Sequence, residues 1–249
     1  MGNFEEKYVT YFNNDEFNQS APKWLNHFRL ESLNSFQDIG IPKITDEDWR
    51  FTDLKDFLAN DFSPLNGISN KFDISELPDF LTKLDAHFIF IVNGILVDST
   101  DLDFKILSLK DGIINEDQNL KRIILDEFSS RNKDFFYELN SAFLENGFYI
   151  EIEKLQKIEK PIVVVNKFDS NSSNAFINPR NILYFGESSS AEIVEYSFSD
   201  SSQSYFLNKT MMMYLDDNSK VEHLSIENGS KSSFIFSNLK IKQNRESNF

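Results

Sequence analysis

The amino-acid sequence predicts a mainly β protein with α-helix, in which residues 1–84 form a helical amino-terminal domain and residues 85–249 a β core. Three observations support this fold class. Apolar residues recur at helical spacing in the first region. Alternating and β-branched apolar runs dominate the second. A strand–turn–strand unit then repeats near the end of the chain, which predicts the stacked coils of a β-solenoid.

The first strong helix signal lies in the segment SAPKWLNHFRLESLNSFQDIGIP. Ser20 is a candidate N-cap, and Pro22 falls in the first turn, where a missing N–H costs nothing. Gly40 and Pro42 are expected to end the helix. Its buried face is predicted to consist of Leu25, Phe28, Leu33 and Phe36.

A second helix is predicted in the segment ITDEDWRFTDLKDFLAN. Thr45 is placed to cap it with Asp48 as the capping-box partner, and Asp46–Asp48 put negative charge at the positive helix end. Trp49 is expected to anchor the segment against neighbouring structure, whereas the role of Arg50 stays open. The predicted buried face of this helix is Phe51, Leu54, Phe57 and Leu58.

The second region reads mostly as strands. Asn93-Gly94 separates two apolar runs in HFIFIVNGILV, which is a strong signal for a tight hairpin. The segment YIEIEKL alternates strictly, and KPIVVVNKF is a buried β-branched run. One helical interruption is predicted in DEFSSRNKDFFYELNSAFLENG, where Phe135, Leu139 and Phe143 are spaced four residues apart.

The repeat gives the solenoid its expected register. Phe185–Tyr196 and Leu215–Ile226 superpose at an offset of 30 residues, and the turn returns in QNRESNF (243–249) at an offset of 28. A solenoid that stops inside a coil leaves unpaired backbone groups and an uncovered apolar end. Two explanations stay open, a partner that covers this end or a truncated sequence, and truncation is the preferred expectation.

Composition excludes several classes of function. The net charge is −15 over 249 residues, and no basic stripe is visible, which disfavours nucleic acid and anionic membranes as partners. The absence of cysteine excludes disulfides, thiolate metal sites and a cysteine nucleophile within these residues. The longest apolar runs, FIFIV and PIVVV, are too short to span a bilayer. A cytoplasmic location is the expectation.

Candidate chemical groups are few. His27, His87 and His223 are far apart in sequence and lack a second ligand at metal spacing, with His223 the best candidate of the three. Asp216 and Asp217 form a turn, like the acids at 46–48, so neither set suggests the carboxylate pair of a glycosidase.

The remaining features of the sequence also give no indication of catalysis. Nucleotide-binding glycine loops and a nucleophile elbow are missing from the sequence. Met211–Met213 are expected to fill core positions, and Arg180 is expected to make a buried ion pair or a backbone tether rather than bind substrate. The sequence thus predicts no catalytic, cofactor-binding or metal-binding residues, and favours a scaffold over an enzyme.

Four segments taken together resemble a known family. The stretch PKWLNHFRLESLNSFQDIGIPKITDEDWRFTDL resembles the amino-terminal region of the SufD family of iron–sulfur cluster assembly proteins. The matching positions are Trp24, Leu25, Phe36, Gly40, Pro42, Glu47, Trp49, Arg50, Phe51 and Thr52. FIFIVNGILV, ELNSAFLENGFYIEI and INPRNILYFGESSSAEIVEYSF are similar to later family segments, in order over about residues 22–198. The related SufB lacks the Trp-Arg-Phe-Thr element, so SufD is the better match.

The resemblance implies a right-handed parallel β-helix behind the helical domain. It also implies a non-catalytic scaffold that acts with SufB and the ATPase SufC, without a cofactor of its own. The segments that contact SufB and SufC lie later in the family than residue 249, so binding to either partner is left open, as is the oligomeric state. The alternative hypothesis is a stand-alone β-solenoid binding module or a carbohydrate-active protein.

Overall fold

The computed structural model describes residues 4–14, 21–65, 72–130, 134–169, 174–199 and 204–249, with helix but not side chains described at 128–130. These residues form seven α-helices and twelve strands. The helices are α1 (Phe4–Asn14), α2 (Lys23–Ile39), α3 (Lys55–Leu58), α4 (Asp79–Thr82), α5 (Leu109–Ile114), α6 (Gln118–Ser130) and α7 (Phe135–Ala142). Short 3-10 helices cover Glu47–Trp49 and Ile74–Glu76.

The strands divide into an early and a late group. The early strands are β1 (Ser63–Pro64), β2 (His87–Val92), β3 (Ile95–Ser99), β4 (Lys105–Ser108), β5 (Phe148–Ile152) and β6 (Ile162–Phe168). The late strands are β7 (Ala175–Ile177), β8 (Arg180–Phe185), β9 (Ser190–Ser199), β10 (Tyr205–Leu215), β11 (Lys220–Asn228) and β12 (Phe234–Gln243).

Two mixed sheets contain all of these strands. One sheet has the order β1-β7-β10-β8-β5-β4, with β12 added beside β10, and the other has the order β11-β9-β6-β2-β3. From β8 to β12 the chain alternates between the sheets, and β10, β11 and β12 each pair in parallel with the strand two places earlier. Antiparallel pairs occur at β2–β3 and β4–β5. The parallel pairs therefore stack late in the chain, and the antiparallel pairs lie early.

The register predicted from the sequence repeat is confirmed. Phe185 pairs with Leu215, an offset of 30 residues, and Leu215 pairs with Gln243, an offset of 28. The predicted hairpin is also confirmed, because β2 and β3 are antiparallel around Asn93-Gly94, whose φ angles of 50° and 81° suit a tight primed turn.

Three apolar layers position the sheets. The inner faces of both sheets meet in one core that includes Ile89, Ile150, Val164, Leu183, Ile193, Met211 and Met213. The outer face of the β10 sheet packs against α2, α5 and α6 through Met212 and its neighbours, which confirms that the three methionines fill core positions on alternate faces. The outer face of the β9 sheet is covered by Leu77 and Leu81.

The helical region confirms one prediction and corrects another. Helix α2 buries Leu25, Phe28, Leu33 and Phe36, and Gly40 ends it with φ 68°. The candidate cap Ser20 lies outside the described residues. The prediction of a second long helix capped by Thr45 is wrong, because residues 45–59 form only the 3-10 turn Glu47–Trp49 and the single helical turn α3.

Competing side-chain hydrogen bonds explain that correction. The Asp46 carboxylate accepts the backbone N–H of Lys43 at 2.8 Å, and the Asp53 carboxylate accepts that of Lys55 at 2.9 Å. Such local bonds offer the backbone an alternative to the helix. As a result Phe51, predicted to be buried, is 88% exposed, and Leu58 is exposed as well, whereas Leu54 and Phe57 are buried as expected.

The single helical interruption predicted in the β core is in fact three helices, α5 to α7. Each begins at a side-chain cap. The Ser108 side chain accepts the backbone N–H of Asp111 at the start of α5. The Asp117 carboxylate accepts that of Leu120 at the start of α6, and the Asp134 carboxylate accepts that of Tyr137 at the start of α7. The division of the chain at residues 84 and 85 stays a prediction.

Candidate functional site

A buried arginine joins the helices to the β core. Arg180, the first residue of β8, is 1% exposed, and its guanidinium reaches α7. Its Nε donates to Asn140 Oδ1 at 2.8 Å and its Nη2 to Ser141 Oγ at 2.7 Å. The guanidinium carbon lies 4.6 Å from the centre of the Tyr137 ring, a cation–π distance. The arginine is buried as expected, but its guanidinium bonds neutral side chains of α7 instead of making the expected ion pair or backbone tether.

Three asparagines complete this junction. The Asn140 amide donates to the carbonyls of Pro179 (3.0 Å) and Asn208 (2.8 Å), and the Asn208 amide donates to the Phe136 carbonyl (2.9 Å). Both amides also contact Asn178 Oδ1. Asn178 and Pro179 separate β7 from β8, where strand pairing is interrupted. A side chain of α7, Asn140, thus bonds backbone carbonyls at this interruption and on the neighbouring strand β10.

Tyr137 extends the junction to the outer edge of the β10 sheet. Its hydroxyl donates to Glu127 Oε1 at 2.9 Å, and Lys240 on β12 donates to the same oxygen at 2.7 Å. The Lys240 ammonium also lies 3.3 Å from the centre of the Tyr137 ring. Burial, with smaller effects from the nearby charges, raises the pKa of the Tyr137 hydroxyl, so it stays protonated and acts as a donor.

Two glycines let the backbone approach this junction. Gly147 has φ 125°, and a Cβ there would lie 1.9 Å from the carbonyl oxygen of Arg180. Gly94, in the hairpin turn, leaves room for the Pro179 ring, which a Cβ would meet at 2.8 Å. Any other residue at these two positions would push β8 away from its neighbours.

A second polar cluster lies between the two sheets. Glu195 on β9 is 2% exposed, and its Oε2 lies 3.2 Å from His223 Nε2 and 3.8 Å from Lys209 Nζ. Lys209 also donates to Glu227. Burial alone would raise the pKa of the Glu195 carboxyl, but the His223 hydrogen bond and the Lys209 charge outweigh it, so the pKa is lowered. The carboxylate is therefore ionised and held inside the β core.

The Trp-Arg-Phe-Thr segment lies on the helical side of the molecule. The Trp49 ring packs 5.5 Å from the ring of Phe136 and 6.2 Å from that of Phe236, so its expected role as an anchor is confirmed. Arg50 is exposed, and its guanidinium carbon lies 4.7 Å from the centre of the exposed Phe51 ring. Arg50 and Phe51 thus contact each other and face solvent.

Comparison with protein-family models identifies the chain. The SufBD protein N-terminal region matches residues 2–164, and the SufBD core domain of SUF system FeS cluster assembly matches residues 168–249. The chain belongs to the SufB/SufD family. This membership indicates a role in iron–sulfur cluster assembly by the SUF system, but the models do not distinguish SufD from SufB. No curated protein matches the chain significantly.

Three of the four segments that carried the family resemblance meet at the Arg180 junction. The Leu-Asn segment supplies Asn140, the Pro-Arg segment supplies Arg180, and Gly147 and Gly94 pack against them. Glu195, the last residue of the Ala-x-Ile-Val-Glu pattern, forms the cluster between the sheets instead. In this member of the SufB/SufD family, these motif residues hold the fold together.

The other histidines and aspartates singled out in the sequence analysis do not meet at a common site. His27 is exposed, and His87 lies 3.6 Å from the Asp103 carboxylate. Asp216 bonds Asn244 at 2.8 Å and also contacts the Tyr184 hydroxyl, and Asp217 accepts the backbone N–H of Arg245 at 3.2 Å. These contacts agree with the expected turn role of the two aspartates.

Neither a metal site nor a membrane span emerges from the described ranges. In this part of the chain, no group of three or more His, Asp or Glu side chains is arranged to hold a metal ion. No helix among the described residues has the length and apolar character needed to cross a bilayer. The Arg180 junction and the Glu195 cluster are the polar groups that involve the motif residues, and a further cluster joins Lys105 to Asp117 and Glu151.

Proposed function

We propose that this chain is a SufD-like, non-catalytic scaffold subunit of a cytoplasmic SUF assembly complex, acting with SufB and the ATPase SufC. The observation that carries this proposal is the pair of family matches, which follow one another in order over residues 2–164 and 168–249. The choice of SufD over SufB rests on Trp49, Arg50, Phe51 and Thr52, the element by which the sequence resembles SufD.

The use of the motif residues supports a scaffold. Asn140, Ser141 and Arg180 join helix α7 to strand β8, and their side-chain polar atoms bond one another rather than face a cleft. A catalytic constellation would instead place a nucleophile or base next to space for a substrate. The junction is buried and already filled by its own side chains.

We further propose that the β core winds as a right-handed parallel β-helix. The alternation of β8 to β12 between two sheets supports this proposal, as does a spacing of 28–30 residues between paired strands. A solenoid of this kind buries a continuous core and presents long flat surfaces, which suits a subunit whose task is to hold partners.

Co-purification tests the proposed function. The chain, together with any residues that follow Phe249 in its source protein, carries an affinity tag and is expressed with SufB and SufC from the same source. The eluate is analysed by size-exclusion chromatography with light scattering. A complex of defined mass that contains the tagged chain is the expected result. Elution of the tagged chain without SufB or SufC, at micromolar concentrations of all three, would contradict the proposal.

A further inference from the structure

The side chain of Phe51 makes almost no contribution to the fold. It is 88% exposed, the highest value among the large apolar side chains in the described part of the molecule. Apolar side chains stabilise a fold in proportion to the area they remove from water. A polar residue at position 51 would therefore serve the fold equally well, and the aromatic ring calls for another explanation.

The backbone that carries the ring is nevertheless anchored. Trp49, two residues earlier, packs against the stacked rings of Phe136 and Phe236. The backbone between them forms consecutive turns, in which Trp49 N–H donates to the Asp46 carbonyl at 3.0 Å and Thr52 N–H to the Trp49 carbonyl at 2.9 Å. A side chain presented from a rigid turn loses little conformational entropy when it binds.

Charge around the ring points to the chemistry of a partner. Five exposed carboxylates flank it in sequence, against two exposed cations. The carboxylates are Asp46, Glu47, Asp48, Asp53 and Asp56, and the cations are Arg50 and Lys55. Aromatic and arginine side chains are the usual anchors of protein interfaces, and charges at the rim steer association toward the opposite sign.

We propose that Arg50 and Phe51 anchor a docking surface for a partner subunit whose contact face carries an apolar pocket ringed by Lys and Arg. This inference rests on the proposed function, because the partner is taken to be a SUF subunit. The phenyl ring fills the pocket, the Arg50 guanidinium covers the ring from the side, and the acidic residues pair with the basic rim.

Binding of the purified SufB–SufC complex to the immobilised chain tests this inference. Phe51→Ala is expected to raise the dissociation constant at least tenfold, and Arg50→Ala to raise it by a smaller factor. Leu155→Ala, a change at another exposed apolar residue, is the matched control and should leave binding unchanged. Thermal melts of all three variants should match that of the parent chain.

A charge reversal tests the second part of the inference. Asp48→Lys should slow association several-fold at low ionic strength, whereas Glu159→Lys, which changes the net charge equally at another exposed site, should not. If the two charge reversals slow association equally, the inference that basic residues ring the partner's pocket is wrong.

The outcomes separate the two proposals. If the parent chain binds and Phe51→Ala binds equally well, the docking surface is wrong and the proposed function stands. If the parent chain, with any residues that follow Phe249 in its source protein, does not bind at all, the proposed function itself fails. If Phe51→Ala instead abolishes only self-association of the chain, the occupant is a second copy, which overturns the proposed partner.

Discussion

Replacement of Arg180 by Met is the sharpest test of the junction between helix α7 and the β core. The change removes the guanidinium and keeps an unbranched apolar side chain in its place. Two short hydrogen bonds are lost, to Asn140 Oδ1 (2.8 Å) and Ser141 Oγ (2.7 Å), together with the cation–π contact to Tyr137. The Asn140 acceptor is then left buried without this donor.

The size of the effect follows from these contacts. Hydrogen bonds to a charged group contribute about 1.5–3 kcal/mol each, so two give roughly 3–6 kcal/mol. Met recovers part of this because no charge remains to be buried. A net loss of about 3–4 kcal/mol is expected, which corresponds to a fall in melting temperature of roughly 6–16 °C for a chain of this size.

Equilibrium unfolding in urea, followed by circular dichroism, measures the loss. Arg245→Met is the matched control. Arg245 is exposed, and its guanidinium makes one long contact of 3.8 Å with a carboxylate oxygen of Asp217. Loss of this exposed ion pair should cost less than about 1 kcal/mol. Arg180→Lys should fall between the two, since a single ammonium cannot replace the planar fork. If Arg180→Met loses less than 1 kcal/mol, the junction does not stabilise the fold as argued.

Three further predictions concern other parts of the structure. Gly147→Ala should cost at least about 4 kcal/mol because the new Cβ would lie only 1.9 Å from the Arg180 carbonyl oxygen, whereas Gly40→Ala, also at positive φ but with its nearest atom at 3.5 Å, should cost about 1 kcal/mol; equal losses in urea unfolding would refute the steric argument. The lowered pKa of Glu195 means that its stabilisation is present above its unfolded value of about 4.3 and is lost as the pH falls through the lower folded value. Glu195→Gln should therefore flatten the decline of unfolding free energy below about pH 5, and an unchanged slope would contradict this. Trp49→Ala should cost about 2 kcal/mol, since a half-buried ring loses part of the usual 3–5 kcal/mol, and a melting temperature equal to that of the parent would show that the ring is no anchor.

The register of the late strands could be predicted because the sequence repeat and the strand spacing are the same quantity. When one coil stacks on the next, each residue pairs with the residue one repeat later, so Phe185 and Leu215 align both in the sequence and in the sheet. The repeat carries no information about the antiparallel pairs at β3 and β4. The β2–β3 pair depends on the Asn93-Gly94 turn, and the β4–β5 pair forms across the three helices that separate these strands.

The error in the helical region has a local cause. Apolar spacing after Thr45 suits a helix, but the carboxylates of Asp46 and Asp53 bond nearby backbone N–H groups and stop the chain from continuing one. Aspartates at a helix start and aspartates in a turn have the same sequence signature. Tertiary contacts of Trp49 and Phe57 decide between them.

The Arg180 junction lay beyond sequence reasoning because its members are distant in the chain. Arg180 and Asn140 are 40 residues apart and meet only when α7 packs on the strands. Glu195 did leave a signal. Side chains alternate between the two faces of a strand, so Glu195 lies on the same face as the buried Ala191 and Ile193. This alternation predicts a carboxylate inside the core.

The protonation states of the buried groups fit the structural roles that their contacts indicate. A carboxyl or phenol group that transfers protons at neutral pH needs a pKa that has moved toward 7. Among the described residues the resolved shifts go the other way. Burial raises the pKa of Tyr137, and burial and the Asp216 hydrogen bond raise that of Tyr184 to about 12, while His223 and Lys209 overcome burial to lower that of Glu195. Each of these groups is therefore fixed in its ordinary charge state at neutral pH, as expected of side chains whose task is to hold strands and helices together.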